Sequence, residues 1–159
     1  YGAMVYLAGS QICYVNGGVT QFAAAVFEDG DTPAFVNGPT GAGIGRGGAA
    51  FNALTGKWRV SAQSKAAEIG LGDIAFTVLP EPIFEYQPTW GGFAMHQGGS
   101  VQAMYSSDLW GYRADGSPRQ YADLAVSAGY SSSAIWHPAS ESFIVAGSTT
   151  IWSCKPYFP

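Results

Sequence analysis

Residues 1–15 read YGAMVYLAGSQICYV, two short apolar runs (1–7 and 11–15) on either side of Ala8-Gly9-Ser10. Short runs of aliphatic and aromatic residues around a Gly-Ser turn predict a β-hairpin. The same pattern continues down the chain. Residues 19–27 (VTQFAAAVF) end at the acidic turn Glu28-Asp29-Gly30-Asp31, and 33–36 is a short run. Residues 51–61 (FNALTGKWRVS) turn at Thr55-Gly56 and leave as a strand, and 73–79 (DIAFTVL) is a strand stopped by Pro80 and Pro82. In the second half the runs fall at 92–96, 101–106, 121–128, 133–136, 142–146 and 150–153, separated by Gly, Ser, Pro or Asp. Evenly spaced short strands with turn signals predict an all-β fold, a sandwich or barrel of antiparallel strands. Only 63–71 (QSKAAEIGL) carries helix formers, and Gly70 and Gly72 limit it to about two turns, too short to stand alone.

Composition narrows the function classes. Of 159 residues, 47% are hydrophobic, 14% aromatic and only 11% charged, with 22 glycines and a net charge of −4. So many aromatics with so few charges are incompatible with disorder. The acidic balance argues against nucleic acid, whose binding depends on clustered Lys and Arg. No apolar run approaches the ~18 residues of a membrane-spanning helix, so no membrane insertion is expected. The sequence opens without Met and without a charged-then-apolar leader, so any signal or upstream segment is expected to lie outside it. Cys13 and Cys154 sit near opposite ends. A bridge between them would close a loop of ~140 residues, worth about 4–5 kcal/mol in the chain-entropy model; two buried free thiols are the alternative.

The chain also echoes itself. At an offset of 90, Gly2, Gly9 and Ser10 meet Gly92, Gly99 and Ser100. At an offset of 85, Phe51, Thr55, Trp58 and Val60 meet Trp136, Ser140, Phe143 and Val145: an aromatic entering a turn, a hydroxyl, then a strand with alternate residues inward. This predicts two related β-modules in tandem, 1–80 and 88–159, joined by 80–88 (PEPIFEYQP). A single β-sandwich over 1–159 is the alternative.

Chemistry-bearing motifs are sparse. Gly43-x-Gly45-x-x-Gly48 matches the dinucleotide fingerprint in form, but no crossover helix follows it, so 37–48 (NGPTGAGIGRGG), with six glycines in twelve residues, reads as a loop. No CxxC pair or Cys/His cluster predicts zinc, and Glu28-Asp29-Gly30-Asp31 reads as an acidic turn before it reads as a Ca²⁺ loop. His96 and His137 have no ligand-spaced neighbour, and Glu81, Glu85, Asp108, Asp115 and Asp123 carry no glycosidase motif. No catalytic residue, cofactor or metal is therefore expected, and a small hydrolase is the minor alternative. The aromatics crowd the second half. Residues 110–118 (WGYRADGSP) place two aromatics, a cation and an acid on a glycine-broken turn, and Trp136-His137-Pro138 is a second such place. Aromatic rings stack on sugars or protein partners while Arg, Asp and His orient them. Trp110, Tyr112, Arg113, Asp115, Trp136 and His137 are thus the candidate ligand contacts.

The opening pattern Tyr1-Gly2-x-x-Val5-Tyr6-x-x-Gly9, with Tyr14 and Gly17-Gly18-Val19, resembles the start of small β-domains at the distal end of tailed-phage central tail fibres and tail-tip proteins, and 92–106 resembles that opening again. Residues 51–58 (FNALTGKW) are similar to a turn of trimeric C1q-like heads found on fibres. The resemblance covers about 35 residues and transfers no catalytic motif. It implies an extracellular, virion-borne attachment or structural module, a homo-oligomer and most readily a trimer, whose partner is a cell-surface glycan or an outer-membrane protein. The loop at 37–48 and the Trp-rich second half have no match in that family. A free carbohydrate-binding lectin and a subunit of an extracellular filament are the alternatives.

Overall fold

The computed structural model describes residues 3–16, 21–39, 48–62, 65–80, 93–96, 99–103, 108–113, 115–123, 133–146 and 149–155. Among them the chain is all-β, folded as four successive antiparallel meanders with no closed barrel. The first sheet is β1 (Ala3–Ala8), β2 (Gln11–Asn16), β3 (Ala23–Glu28) and the two-residue β4 (Val36–Asn37). The second is β5 (Gly48–Asn52), β6 (Lys57–Ala62), β7 (Lys65–Ile69) and β8 (Thr77–Val78). The third is β9 (Phe93–His96), β10 (Gly99–Ala103), β11 (Asp108–Arg113) and β12 (Pro118–Asp123). The fourth has three described strands, β13 (Ser133–His137), β14 (Ser142–Ala146) and β15 (Ile151–Cys154). Each sheet pairs in sequence order, and the first strands meet in succession: β1 lies against β5, β5 against β9, and β9 against β13.

The opening hairpin forms as read, with Ala8 opposite Gln11 across the Gly9-Ser10 turn. Three expectations are corrected. Of the strand expected over 73–79 only Thr77–Val78 pairs in a sheet, because Asp73 is tied into a turn with Gly70 and Ile74 stands exposed. Residues 65–69 are strand, not the stub of a helix. Ala66 and Glu68 face one neighbouring sheet and Ala67 and Ile69 the other, so burial on two faces overrides the helix preference of Ala, Lys and Glu. Residues 110–113 belong to β11 and not to a turn, which begins only after Arg113. Gly111 is buried mid-strand beside a register shift between Leu109 and Trp110, which explains how a glycine sits inside an element. Most of the glycine-rich stretch (41–47) and the joint at 81–88 lie outside the described residues.

The echoes align the strands only in part: the offset of 90 sets the Gly9-Ser10 turn on Gly99-Ser100, which are strand and open β10. The offset of 90 carries the start of β1 onto the start of β9, and the offset of 85 carries β5 onto β13 and the start of β6 onto the start of β14. Residues 3–78 thus hold two sheets, and 93–154 hold two more.

The first and second sheets meet through an apolar core. Cys13, Val15, Phe22 and Ala24 pack on Ala49, Trp58, Val60, Ala67 and Ile69, with Tyr6, Ala8, Val26, Phe51 and Phe76 at the margin. Full burial of side chains of this size stabilises by about 1.5–3 kcal/mol each. The indole Nε1–H of Trp58 donates to Gln11 Oε1 at 3.3 Å, so the largest buried ring keeps its one polar atom satisfied across the junction.

The junction between the second and third sheets is built differently. Ala66, Leu79 and Tyr112 are buried together with Ala50 beside them, and Arg59 is fully buried. Its Nε donates to Glu68 on the adjacent strand, and its Nη1 donates to the carbonyl of Arg113 in the third sheet at 2.8 Å. One guanidinium therefore joins two sheets.

Both cysteines are free, Cys13 buried and Cys154 half-buried, so the two-thiol alternative holds. Burial pushes the Cys13 thiol up to about 12 and raises that of Cys154 as well. In the native protein Cys13 should resist a thiolate-directed alkylating reagent at pH 8 while the partly exposed Cys154 is labelled more readily; mass spectrometry after limited labelling reads this out. Arg59→Ala should cost about 3–5 kcal/mol, because it strands Glu68 and the Arg113 carbonyl. The double replacement R59M/E68L should cost much less, and urea denaturation midpoints separate the two.

Candidate functional site

The first and second sheets each have an end where the first strand turns into the second and the third into the fourth, and polar side chains collect there and at the β11–β12 and β13–β14 turns. In the first sheet Ser10 Oγ donates to Glu28 Oε1 at 3.0 Å, and the Glu28 N–H donates to Asp31 Oδ2 at 3.3 Å. In the second, Lys57 Nζ and the Gly70 N–H both donate to Asp73 Oδ2, at 3.1 and 2.8 Å. Those two bonds, the backbone one foremost, hold the Asp73 carboxyl below the usual range. The stability it adds is present above that range and is lost as pH falls through the lowered value.

The expected ligand contacts fall on the third and fourth sheets. Tyr112 is buried at 3% exposure and packs toward Ala66 and Leu79, so its ring belongs to the junction between sheets. Arg113 is exposed and its Nη1 donates to Ser117 Oγ at 3.3 Å. Asp115 is exposed and closes the turn, its Oδ1 accepting from Ser117 N–H at 2.9 Å and from Ser117 Oγ at 2.7 Å. Those bonds, the backbone one first, lower its carboxyl as well. Trp110 lies on β11 opposite Gln102 and Gln120, and its side chain is outside the described residues. Trp136 is half-buried and meets the Phe143 ring edge-on, centroids 4.9 Å apart. His137 is exposed at the mouth of the β13–β14 turn. Trp110 aside, Arg113, Asp115 and His137 lie at two hairpin turns and Tyr112 and Trp136 pack behind them.

The β13–β14 turn holds what the sequence reading missed. His137 Nδ1 lies 2.8 Å from Ser140 Oγ and accepts the Ser140 N–H at 3.2 Å. Ser140 Oγ lies 2.6 Å from Ser142 Oγ, which accepts from Ser153 Oγ at 3.0 Å. The backbone N–H at Nδ1 makes that nitrogen an acceptor in the neutral ring, which places the ring proton on Nε2. Ser153, Ser142, Ser140 and His137 Nδ1 thus form one continuous row of polar contacts. The imidazole Nε2–H and the exposed Ser140 are the groups this row offers to an outside acceptor or donor.

Between the two serines, Glu141 has φ of 49°, the only positive-φ residue other than glycine among the described residues. Its counterpart 85 residues earlier is Gly56, at φ 69° in the β5–β6 turn. Asn52, the counterpart of His137, likewise accepts a turn N–H through its side chain, from Leu54 at 3.1 Å. The backbone bonds of the two turns differ, Gly56 N–H donating to the Asn52 carbonyl and Glu141 N–H to that of Pro138, but both turns have a left-handed corner at the corresponding position, and the second places an L-residue where the first has glycine. A left-handed non-glycine residue costs about 1–2 kcal/mol. Such strain at an exposed polar turn is a recognised mark of a functional position. The signal was present in the sequence as the Gly56-to-Glu141 change within the echo. Glu141→Gly should raise unfolding free energy by about 1 kcal/mol, measurable as an upward shift of the denaturation midpoint.

Among the described residues no group of three or more His, Cys, Asp or Glu side chains is placed to hold a metal ion. No helix of the described residues is long and apolar enough to cross a membrane. No protein-family model matches the chain, and no curated protein does so.

Proposed function

We propose that the chain is a non-catalytic attachment or structural module of an extracellular virion fibre or tail tip, working as a homo-oligomer, with a trimer as the expected form. The observation that carries this reading is a pairing of properties. Only 11% of residues are charged, and large apolar side chains stand exposed on the first and last sheets, among them Val5, Leu7, Ile135 and Ile151. Surface of that kind favours protein partners. The polar turns, with Arg113, Asp115 and His137 exposed, supply hydrogen-bonding groups for a glycan or an outer-membrane protein.

A second reading is a carbohydrate-binding lectin. The ordered hydroxyl row beside the half-buried Trp136 favours it, since sugars are held by an aromatic face and a few directional polar groups.

Binding of labelled protein to bacterial cells and to a glycan array, with the mass from light scattering, tests both. The attachment reading expects an oligomer that binds cells and loses binding at least several-fold on His137→Ala or Arg113→Ala. A clean monomer of 16.7 kDa that binds glycans would replace it with the lectin. Polysaccharide hydrolysis that is lost on Asp115→Ala would overturn the non-catalytic reading.

A further inference from the structure

We infer that the free face of the first sheet and the free face of the fourth are the two halves of a head-to-tail interface between copies of this chain. Consecutive four-stranded meanders whose first strands touch in succession are set as the blades of a β-propeller are set. In such a stack every sheet has one face toward the sheet before it and one toward the sheet after it.

In the second sheet the face toward its predecessor carries Ala49, Phe51, Trp58 and Val60, joined as the cross-strand pairs Ala49–Val60 and Phe51–Trp58. The fourth sheet repeats this 85 residues later as Ala134–Val145 and Trp136–Phe143, with Ala134, Phe143 and Val145 buried. In the first sheet the corresponding pairs, counted outward from the hairpin turn, are Leu7–Ile12 and Val5–Tyr14. They lie on the face opposite Cys13 and Val15, with Phe27 across from Ile12 and Phe35 edge-on to Tyr14. On this face Val5 is 58% and Leu7 73% exposed, while Ile12 and Tyr14 are half-buried. The first sheet therefore presents an apolar predecessor face and has no predecessor within the described residues.

The fourth sheet presents the complement. Its successor face carries Ile135, Ile144 and Ile151, with Ile135 58% and Ile151 73% exposed. On the second sheet the equivalent positions are Ala50, Arg59 and Ala66, all used in the junction with the third sheet. No Asp, Glu, Lys or Arg is among the residues named on either free face; on the fourth sheet the same face also carries His137, Ser142 and Ser153, so the polar row borders the apolar patch. Each free face is the continuation of an interface the chain already makes within itself, which is why a second copy is the occupant. A contact between two different patches is heterologous: it closes into a ring if the rotation per sheet allows and otherwise extends as a filament. This inference rests on the self-association in the proposed function and assigns the surface for it.

The test uses two variants at exposed positions, Leu7→Asp on the first sheet and Ile151→Asp on the fourth, each checked for unchanged circular dichroism. By light scattering the wild-type chain should run as a multiple of 16.7 kDa and each variant alone as a monomer. An equimolar mixture should recover a species of twice the chain mass, because each variant keeps the face the other lacks. A monomeric wild type, or variants that associate like wild type, would overturn the inference, as would a mixture that stays monomeric. Loss of cell or glycan binding with the mixing behaviour intact would sink the attachment function while leaving this interface standing.

Discussion

A four-stranded meander buries neither of its faces by itself, and the architecture follows from that constraint. Alternate residues of a strand point to opposite sides, so a sheet that is apolar on both sides must be covered on both. The second sheet meets this condition on one side with Trp58, Val60 and Ile69 against the first sheet, and on the other with Ala50, Ala66 and Arg59 toward the third. Stacking in chain order is the shortest way to cover each face with its sequence neighbour, and it places all first strands along one seam.

What the sequence made legible was local. The 1–16 hairpin, the Thr55-Gly56 turn and the strand at 142–146 follow from turn chemistry and apolar runs, which act within a few residues. The stack was not legible, because it depends on which face of each strand meets another sheet. That is also why 65–69 misled: Lys, two Ala and Glu have helical preference, and only burial on both sides makes them a strand. Tyr112 misled similarly. An aromatic beside Arg and Asp suggests a binding surface, whereas its ring fills the space near Leu79. The echo at an offset of 85 was the long-range signal in the sequence: it carries β5 onto β13 and the start of β6 onto the start of β14.

The polar turns use one device with different chemistry. An acceptor at the start of the turn takes a backbone N–H: Asn52 in the second sheet, Asp115 in the third, His137 in the fourth. Among the described residues only the last extends into a row of hydroxyls, and only there does an L-residue occupy the left-handed corner. A scaffold that repeats its framework while varying its corners can change what it recognises at little cost to folding.

The buried Arg59 has a further consequence for how such a chain avoids error while it folds. Sheets of similar shape and apolar faces invite pairing in the wrong order, the characteristic failure of repetitive proteins. The face that carries Arg59 accepts only a neighbour offering a carbonyl where Arg113 offers one; an all-apolar face docked there would leave a guanidinium bond unmade in a dry junction, a penalty of kilocalories. The Arg59-to-Arg113 carbonyl bond thereby favours the third sheet over an all-apolar neighbour at this one junction.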